Sequence, residues 1–348
     1  MTNPYQPRNA MLRGMKATLR RGMSLLGMHS VIARYPKLKE HALMHWLRWR
    51  RVLWPWMFRA VRRQRNGPWD AYLTSRTRWD GPGSQILATL SNICFAQYTG
   101  LRYVHTPFQR MSHAPSGMTD EECAARWEAW LRFGELFPSV ESVQTGRIIH
   151  ASGPASVRYD SRTLNVVDNC HAFTDRYPQQ WLPVLDRIKR SRWAPSDRPS
   201  NSPLIIAAHA RRGDVPPDET LRYTSNSWLD HALSTVQRVL REHHIAYETH
   251  LYSEGQAEDF SVLQHLQPQL HLNGDQISDW EALRAADILL VSRSAFSFSA
   301  ALLSDGIILC PRFWHEPLPG WVRAGRDGHI SRMELDDKIV IVEAFAQR

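Results

Sequence analysis

The chain has 348 residues, of which 43% are hydrophobic and 22% are charged, and its formal net charge is +9. This balance is typical of a soluble globular protein. The four cysteines lie far apart without metal-ligand spacing, and no apolar segment approaches the roughly 20 residues of a membrane-spanning helix. The composition therefore argues against a thiolate metal site and a transmembrane protein, and we expect a reduced, cytosolic chain without a signal peptide.

The first predicted element is a basic, tryptophan-rich helical extension over residues 1–68. Residues 1–66 contain 15 Lys and Arg and one acidic residue, so they carry +14 and the rest of the chain carries −5. Four tryptophans alternate with the arginines: Trp46, Trp49, Trp54 and Trp56. Tryptophan and arginine together suit an anionic bilayer surface, and a helix packed on the body is the main alternative. Because basicity stops at residue 66 and no nucleic-acid motif follows, nucleic acid is not an expected partner.

Residues 69–200 are predicted to form a first mixed domain. It contains a glycine turn, Gly81-Pro82-Gly83-Ser84, that runs directly into an amphipathic helix. A glycine turn before a helix lets the backbone approach a ligand, although this one lacks the full dinucleotide fingerprint and the Lys-Ser/Thr of a phosphate loop. The segment 99–108 is predicted as a strand that brings His105 near a cleft, unless His105 is a buried structural histidine.

Residues 201–348, after a polar linker, are predicted to form a second domain in which strands and helices alternate. Ser278 is predicted as the N-cap of its third helix, with Glu281 at the capping-box position. Such alternation indicates a doubly wound parallel sheet with both faces covered. The predicted strands are 204–209, 247–253, 269–273, 287–292 and 306–311, and the predicted helices are 225–244, 256–266, 278–286 and 295–304.

Polar residues follow the predicted strands of this second domain, where ligands bind in doubly wound sheets. Arg211 and Arg212 follow the first strand, and an arginine pair presents several donors to phosphate oxygens. The segment Ser292–Ser297 opens a helix, and a helix N-terminus attracts anions. Together they predict a diphosphate site. The alternatives are a salt bridge from the arginines to Asp214 or Asp218, and simple helix capping by Ser294 and Ser297.

Three motifs, in this order along the chain, resemble those of the fucosyltransferase superfamily, which includes α1,2-, α1,6-, nodulation and protein O-fucosyltransferases. GPGSQ (81–85) resembles its Gly-x-Gly-Asn/Ala-Gln turn, although Pro82 and Ser84 depart from the commoner form. HARRGD (209–214) is similar to its His-x-Arg-Arg-x-Asp motif, and residues 279–303 resemble its third motif. The resemblance covers roughly residues 80–312 and indicates a bacterial branch.

The resemblance implies a GT-B arrangement of two facing Rossmann-like domains, with residues 69–200 on the acceptor side and residues 201–348 binding a nucleotide sugar. It implies GDP-fucose as the donor substrate, inversion at the anomeric carbon, no separate cofactor and no essential metal, and the sequence has no Asp-x-Asp. Arg211 would hold the β-phosphate with the support of Arg212, and Asp279 would accept hydrogen bonds from guanine. The remaining residues expected around the donor are Gly81, Gly83, His209, Ser294, Ala295, Phe296 and Ser297.

Sugar transfer places growing negative charge on the leaving diphosphate, which fixed cations stabilise. Inversion also needs a base that deprotonates the acceptor hydroxyl. The sequence leaves this base open among four carboxylates: Asp80, Asp214, Glu254 and Asp275.

The leading hypothesis is an inverting fucosyltransferase at the inner face of the cytoplasmic membrane. Its acceptor would be a glycan or lipid-linked glycan in bacterial surface polysaccharide or lipopolysaccharide synthesis. The alternatives are a glycosyltransferase of the same fold that uses another nucleotide sugar, and a non-catalytic module that binds carbohydrate or a membrane surface.

Overall fold

A computed structural model describes residues 70–193, 199, 202–219 and 221–346, with side chains described as far as residue 340. The predictions for the basic extension, residues 1–68, lie outside this range. The described residues belong to one compact unit that contains two main parallel sheets, one before and one after residues 194–201. The predicted division into two domains at residue 200 falls between these sheets and stays a prediction.

The first sheet has four parallel strands in the order β3-β1-β6-β5. They are β1 (Tyr72–Ser75), β3 (Arg102–Tyr103), β5 (Arg147–Ala151) and β6 (Thr163–Val167). β1 lies inside the sheet and is almost fully buried, whereas the edge strand β5 is mostly exposed. Two further short strands, β2 (Trp79–Asp80) and β4 (Arg110–Met111), pair in parallel as a separate ribbon.

The helices of this half are α1 (Pro82–Thr99), α2 (Asp120–Leu131), α3 (Phe133–Leu136), α4 (His171–Thr174) and α5 (Trp181–Arg192). α1 begins at Pro82, where the missing N–H costs nothing because the first helical N–H groups have no partner within the helix. Nearly all of α1 is buried, which makes it the central helix of the protein. Thr119 and Glu122 form a capping box that starts α2.

The second sheet has six parallel strands in the order β9-β8-β7-β10-β11-β12. They are β7 (Leu204–Ala210), β8 (Tyr247–Ser253), β9 (Gln269–Leu272), β10 (Ile288–Leu290), β11 (Ile307–Pro311) and β12 (Val322–Ala324). Numbered by their order along the chain within this sheet, they read 3-2-1-4-5-6, which is the Rossmann order. The order reverses between β7 and β10, so a crevice opens where these two strands end.

The helices of the second half are α6 (Asn226–Glu242), α7 (Gln276–Ala285), α8 (Ala295–Leu302) and α9 (Arg332–Ala346), with a 3-10 helix at Ala257–Leu266. Apolar residues of α6 recur at three- and four-residue spacing and bury one face on the sheet. Ser225 caps α6, because its side chain accepts from the Trp228 N–H.

The predicted α/β class, with a doubly wound parallel sheet in the second half, is confirmed. The predicted start of α7 is wrong, because Asp275 rather than Ser278 is its N-cap and accepts a hydrogen bond from the Ser278 N–H at 3.0 Å. Glu281 does not close a capping box there and instead pairs with Arg284. The strand predicted over 99–108 is confined to Arg102–Tyr103.

One buried core cluster joins the two halves. It includes Leu73 and Phe95 from the first half and Trp280, Leu289 and Phe298 from the second. A second cluster lies under α6 and α9 on the other face of the second sheet. The two halves therefore share their largest apolar core.

Candidate functional site

A side-chain hydrogen bond links the ends of β7 and β10 at the crevice. His209, near the end of β7, has its Nδ1 2.7 Å from the Ser292 hydroxyl, which follows β10. The Ser292 N–H donates to the Ser297 hydroxyl at 3.2 Å, and the two hydroxyls are 3.1 Å apart. These contacts fix the first turn of α8 against β7.

His209 is a neutral imidazole in this setting. Burial lowers its pKa to about 3, and the charges of Arg211 and Arg212 act in the same direction. His209 therefore contributes shape and one hydrogen bond at neutral pH, and carries no positive charge.

Arg212 is committed to the protein scaffold. Its guanidinium donates to the Thr224 carbonyl at 2.6 Å and to the Asn226 side chain at 2.6 Å, and lies 4.2 Å from the centre of the Tyr223 ring. The residue is 8% exposed. Arg212 thus fixes the loop after β7 to the start of α6.

Arg211 is available to a ligand. Its side chain is 20% exposed and pairs through one terminal nitrogen with Asp214. Its buried Nε has no hydrogen-bond partner among the described residues. Because a guanidinium offers five donors, Arg211 keeps donors for an anion at the end of β7.

Asp214 is held between two arginines. One carboxylate oxygen accepts from Arg211 and the other accepts from Arg222 at 3.1 Å. Burial alone would raise the pKa of Asp214, but the two arginines outweigh it and lower the pKa below its ordinary value. Asp214 is therefore ionised and paired, which makes it a weak proton acceptor.

Glu254 lies beside Gly213, in the loop after β8. A Cβ at Gly213 would come 2.0 Å from the Glu254 Oε2, and Gly213 has a φ of +68°, so only glycine suits this position. Glu254 is exposed. Its carboxylate makes no hydrogen bond or ion pair with the described part of the chain.

The glycine turn meets the start of α8. A Cβ on Gly83 would lie 2.4 Å from the Phe296 nitrogen and 2.5 Å from the Ala295 carbonyl carbon. Gly83 therefore lets the first turn of α1 touch the first turn of α8. Asp80, just before this turn, accepts from Arg78 at 2.6 Å.

The two serines predicted to contact phosphates make hydrogen bonds within the protein, around the start of α8. The Ser294 hydroxyl caps α8 by accepting from the Phe296 N–H at 3.2 Å, and Ser297 is fully buried against Ser292. The capping alternative therefore holds for Ser294, whereas the Ser297 hydroxyl bonds to Ser292 ahead of the helix. An anion at this end would meet the backbone N–H groups of the first turn.

A second group of polar and aromatic side chains lies near the ends of β8 and β9. Asp279 is half-buried beside Gly274, and burial, then the charge of Asp275, raises its pKa to about 6. Tyr252 and His271 stack with ring centres 4.5 Å apart, and the Asp279 charge contributes to the raised pKa of Tyr252 after burial. Sequence reasoning missed Tyr252 and His271, although both occupy same-face positions on paired strands.

His105 is the buried structural histidine that the sequence left as an alternative. It is 1% exposed, and its Nε2 lies 2.7 Å from Glu128, which also accepts from the Phe108 N–H at 3.1 Å. Among the described residues, no group of three or more His, Cys, Asp or Glu side chains is arranged to hold a metal ion. In the same part of the chain, no helix is long and apolar enough to cross a bilayer.

No protein-family model and no curated protein sequence matches this chain. Solved structures similar to it include a variant of Arabidopsis thaliana FUT1 in complex with GDP, at 12% identity over 75% of this chain and 76% of that chain, with a TM-score of 0.38. Another is POFUT1 in complex with GDP, at 10% identity over 69% and 96% of the two chains, with a TM-score of 0.35.

The fucosyltransferase NodZ from Bradyrhizobium is also similar, at 14% identity over 74% of this chain and 97% of that chain, with a TM-score of 0.33.

Proposed function

We propose that this protein is an inverting glycosyltransferase that transfers fucose from GDP-fucose to a glycan acceptor. The observation that supports this most is the reversal point of the Rossmann-ordered sheet, where Arg211 follows β7 and keeps donors that the described residues do not use. Nucleotide diphosphates bind at this point in doubly wound sheets. Fucose as the sugar and guanine as the nucleobase are inferred from the three motifs that resemble those of the fucosyltransferases.

Arg211 and the first turn of α8 are assigned to the leaving diphosphate. Negative charge grows on the β-phosphate as the glycosidic bond breaks, and donors already fixed in place stabilise it without reorganisation. The protein supplies this positive charge itself, so the proposal includes no essential metal. Neutral His209 holds Ser292 and the start of α8 in position.

Glu254 is the best candidate for the base that takes the acceptor proton. Three of the four candidate carboxylates are in ion pairs: Asp80 with Arg78, Asp214 with Arg211 and Arg222, and Asp275 with Arg126 at 2.8 Å. Glu254 is exposed and has no such partner in the described chain. An unpaired carboxylate accepts a proton more readily than one held by arginine.

The acceptor side of the proposal rests on the sequence. Residues 1–66 would hold the enzyme at an anionic membrane surface on the cytoplasmic side, near a lipid-linked glycan. We infer a role in the synthesis of a bacterial surface polysaccharide or lipopolysaccharide.

Calorimetric titration with GDP, GDP-fucose, UDP and CMP tests the donor class. We expect GDP and GDP-fucose to bind, and UDP and CMP to bind at least about tenfold more weakly because they lack the guanine edge that Asp279 would recognise. Preferential UDP binding would favour another nucleotide sugar. An absence of binding by all four would leave Arg211 as a structural ion pair and favour the non-catalytic module.

The raised pKa of Asp279 predicts how the affinity for the donor depends on pH. A carboxylate with a pKa of about 6 is ionised at pH 7.5 and accepts from the guanine N–H groups, whereas the protonated form loses that acceptor. GDP-fucose affinity is therefore expected to fall below pH 6, with a limiting slope of about tenfold per pH unit. GDP-fucose is the right probe because its phosphates are diesterified and do not titrate in this range.

The control for this titration is Asp279→Asn measured over pH 5–8. The variant should bind GDP-fucose weakly and lose the pH dependence near pH 6. If the variant keeps the wild-type profile, the titrating group lies elsewhere and Asp279 does not contact the base.

A further inference from the structure

Among the Phe, Trp and Tyr residues that the structure describes, Trp79 is the only exposed one. The residue is 63% exposed. Single exposed aliphatic residues are common on protein surfaces, but a large aromatic ring left in water gives up substantial burial energy. Its surroundings indicate what the ring does.

The Trp79 ring is held firmly from its edge and from one face. Its Nε1–H donates to the Asp120 carboxylate at 2.7 Å, and the Arg110 guanidinium lies 4.7 Å from the ring centre. Arg110 is fixed in turn by Glu121 at 2.9 Å, and Trp79 and Arg110 are paired in register between β2 and β4. Because Arg110 covers one face and most of the ring is exposed, the other face is open to solvent.

The chain places this ring next to the proposed donor site. Trp79 precedes Gly83 by four residues, and Gly83 touches the backbone of Ala295 and Phe296 at the start of α8. Four residues of fully extended chain span at most about 14 Å. The Trp79 Cα therefore lies within that distance of the Gly83 Cα, which packs on the helix start assigned to the diphosphate.

We propose that Trp79 forms an acceptor subsite, in which one pyranose ring of the acceptor glycan stacks on the open indole face. A pyranose has an apolar C–H face surrounded by hydroxyl groups. The open indole matches that face, and the half-exposed side chains of Arg110, Asp120 and Glu121 supply charged partners for the hydroxyls. Rigid aromatic contacts lose little conformational entropy on binding. This inference rests on the proposed transfer to a glycan and assigns a place to the acceptor.

The test uses the full-length protein and an array of immobilised oligosaccharides built from hexopyranoses. Wild-type protein should bind a subset of the array, and Trp79→Ala should bind that subset about tenfold more weakly. Trp79→Phe keeps a flat ring and loses only the Nε1–H bond to Asp120, so it should retain most of the binding. Met333→Ala, at another exposed apolar residue, is the matched control and should bind as wild type does.

GDP affinity, measured by calorimetry on the same variants, separates this inference from the proposed function. GDP binding by wild type and Trp79→Ala alike, combined with loss of array binding in Trp79→Ala, supports the subsite. GDP binding in all variants, with array binding absent or equal in wild type and Trp79→Ala, overturns the Trp79 subsite and leaves the donor site intact. Failure of wild type to bind GDP overturns the proposed transfer, and the acceptor subsite with it.

Discussion

Arg211→Ala is expected to lower kcat/KM for transfer from GDP-fucose by about 10²–10³-fold, which is the usual cost of removing one fixed donor from a developing anion. The fold should survive, because Arg211 is partly exposed and, among the described residues, makes a single ion pair, to Asp214. GDP affinity should fall together with the rate. The measurements are steady-state transfer kinetics, calorimetry with GDP and a thermal melt of the same preparation.

Arg222→Ala is the matched control, because it removes the other arginine that binds Asp214 and leaves Arg211 in place. Its activity should stay within a few-fold of wild type. Equal losses in the two variants would show that the ion-pair cluster matters rather than a phosphate contact by Arg211. Wild-type activity in Arg211→Ala would remove the phosphate assignment altogether.

Glu254→Gln should reduce transfer by about 10²–10⁴-fold, the range associated with a positioned general base. GDP affinity should hardly change, because the amide keeps the size of the side chain and Glu254 is assigned to the acceptor rather than to the diphosphate. Stability should also be preserved, since the Glu254 carboxylate is exposed. Rates and GDP binding measured on one preparation separate the chemical step from donor binding.

Glu258→Gln, a nearby exposed carboxylate on the 3-10 helix after β8, is the control and should remain active. Strong loss in Asp80→Asn with full activity in Glu254→Gln would move the base across the crevice to the glycine turn. In that case the ion pair between Asp80 and Arg78 would have to open when the acceptor binds.

The second half of the fold could be predicted to within one or two residues at most boundaries. β8 has the predicted bounds, and β7, β9 and β11 differ by one residue at one end. β7 and β11 are largely buried in the parallel sheet and are short apolar runs bounded by polar turns, whereas β8 and β9 also contain polar residues and are partly exposed. The start of α7 was missed because Asp275 and Ser278 are both good N-caps, and three-dimensional context chose Asp275.

The first half was harder because β2, β3 and β4 have two residues each, too few to show any periodicity. The motif positions around the crevice could be identified from the sequence, but the roles of the carboxylates could not. Asp275 is paired with Arg126, which lies 149 positions earlier and in the other half of the described chain. Only tertiary structure shows that this pairing leaves Glu254 as the unpaired acid.

Gly83 is another residue whose role could not be predicted from the sequence. The sequence predicts a close backbone approach at this position, and the structure shows one, but its immediate partner is the backbone of α8. A glycine that admits a ligand and a glycine that admits a second helix have the same local signature.

The core cluster shared by the two halves affects how the protein folds. Leu73 and Phe95 are buried together with Trp280 and Phe298, so separating the halves would expose apolar surface on both. Two sheets with independent topologies are then expected to melt in a single cooperative transition. A fragment cut at residue 200 would lose part of its own core. We therefore expect the two halves to fold together, although each contains its own sheet.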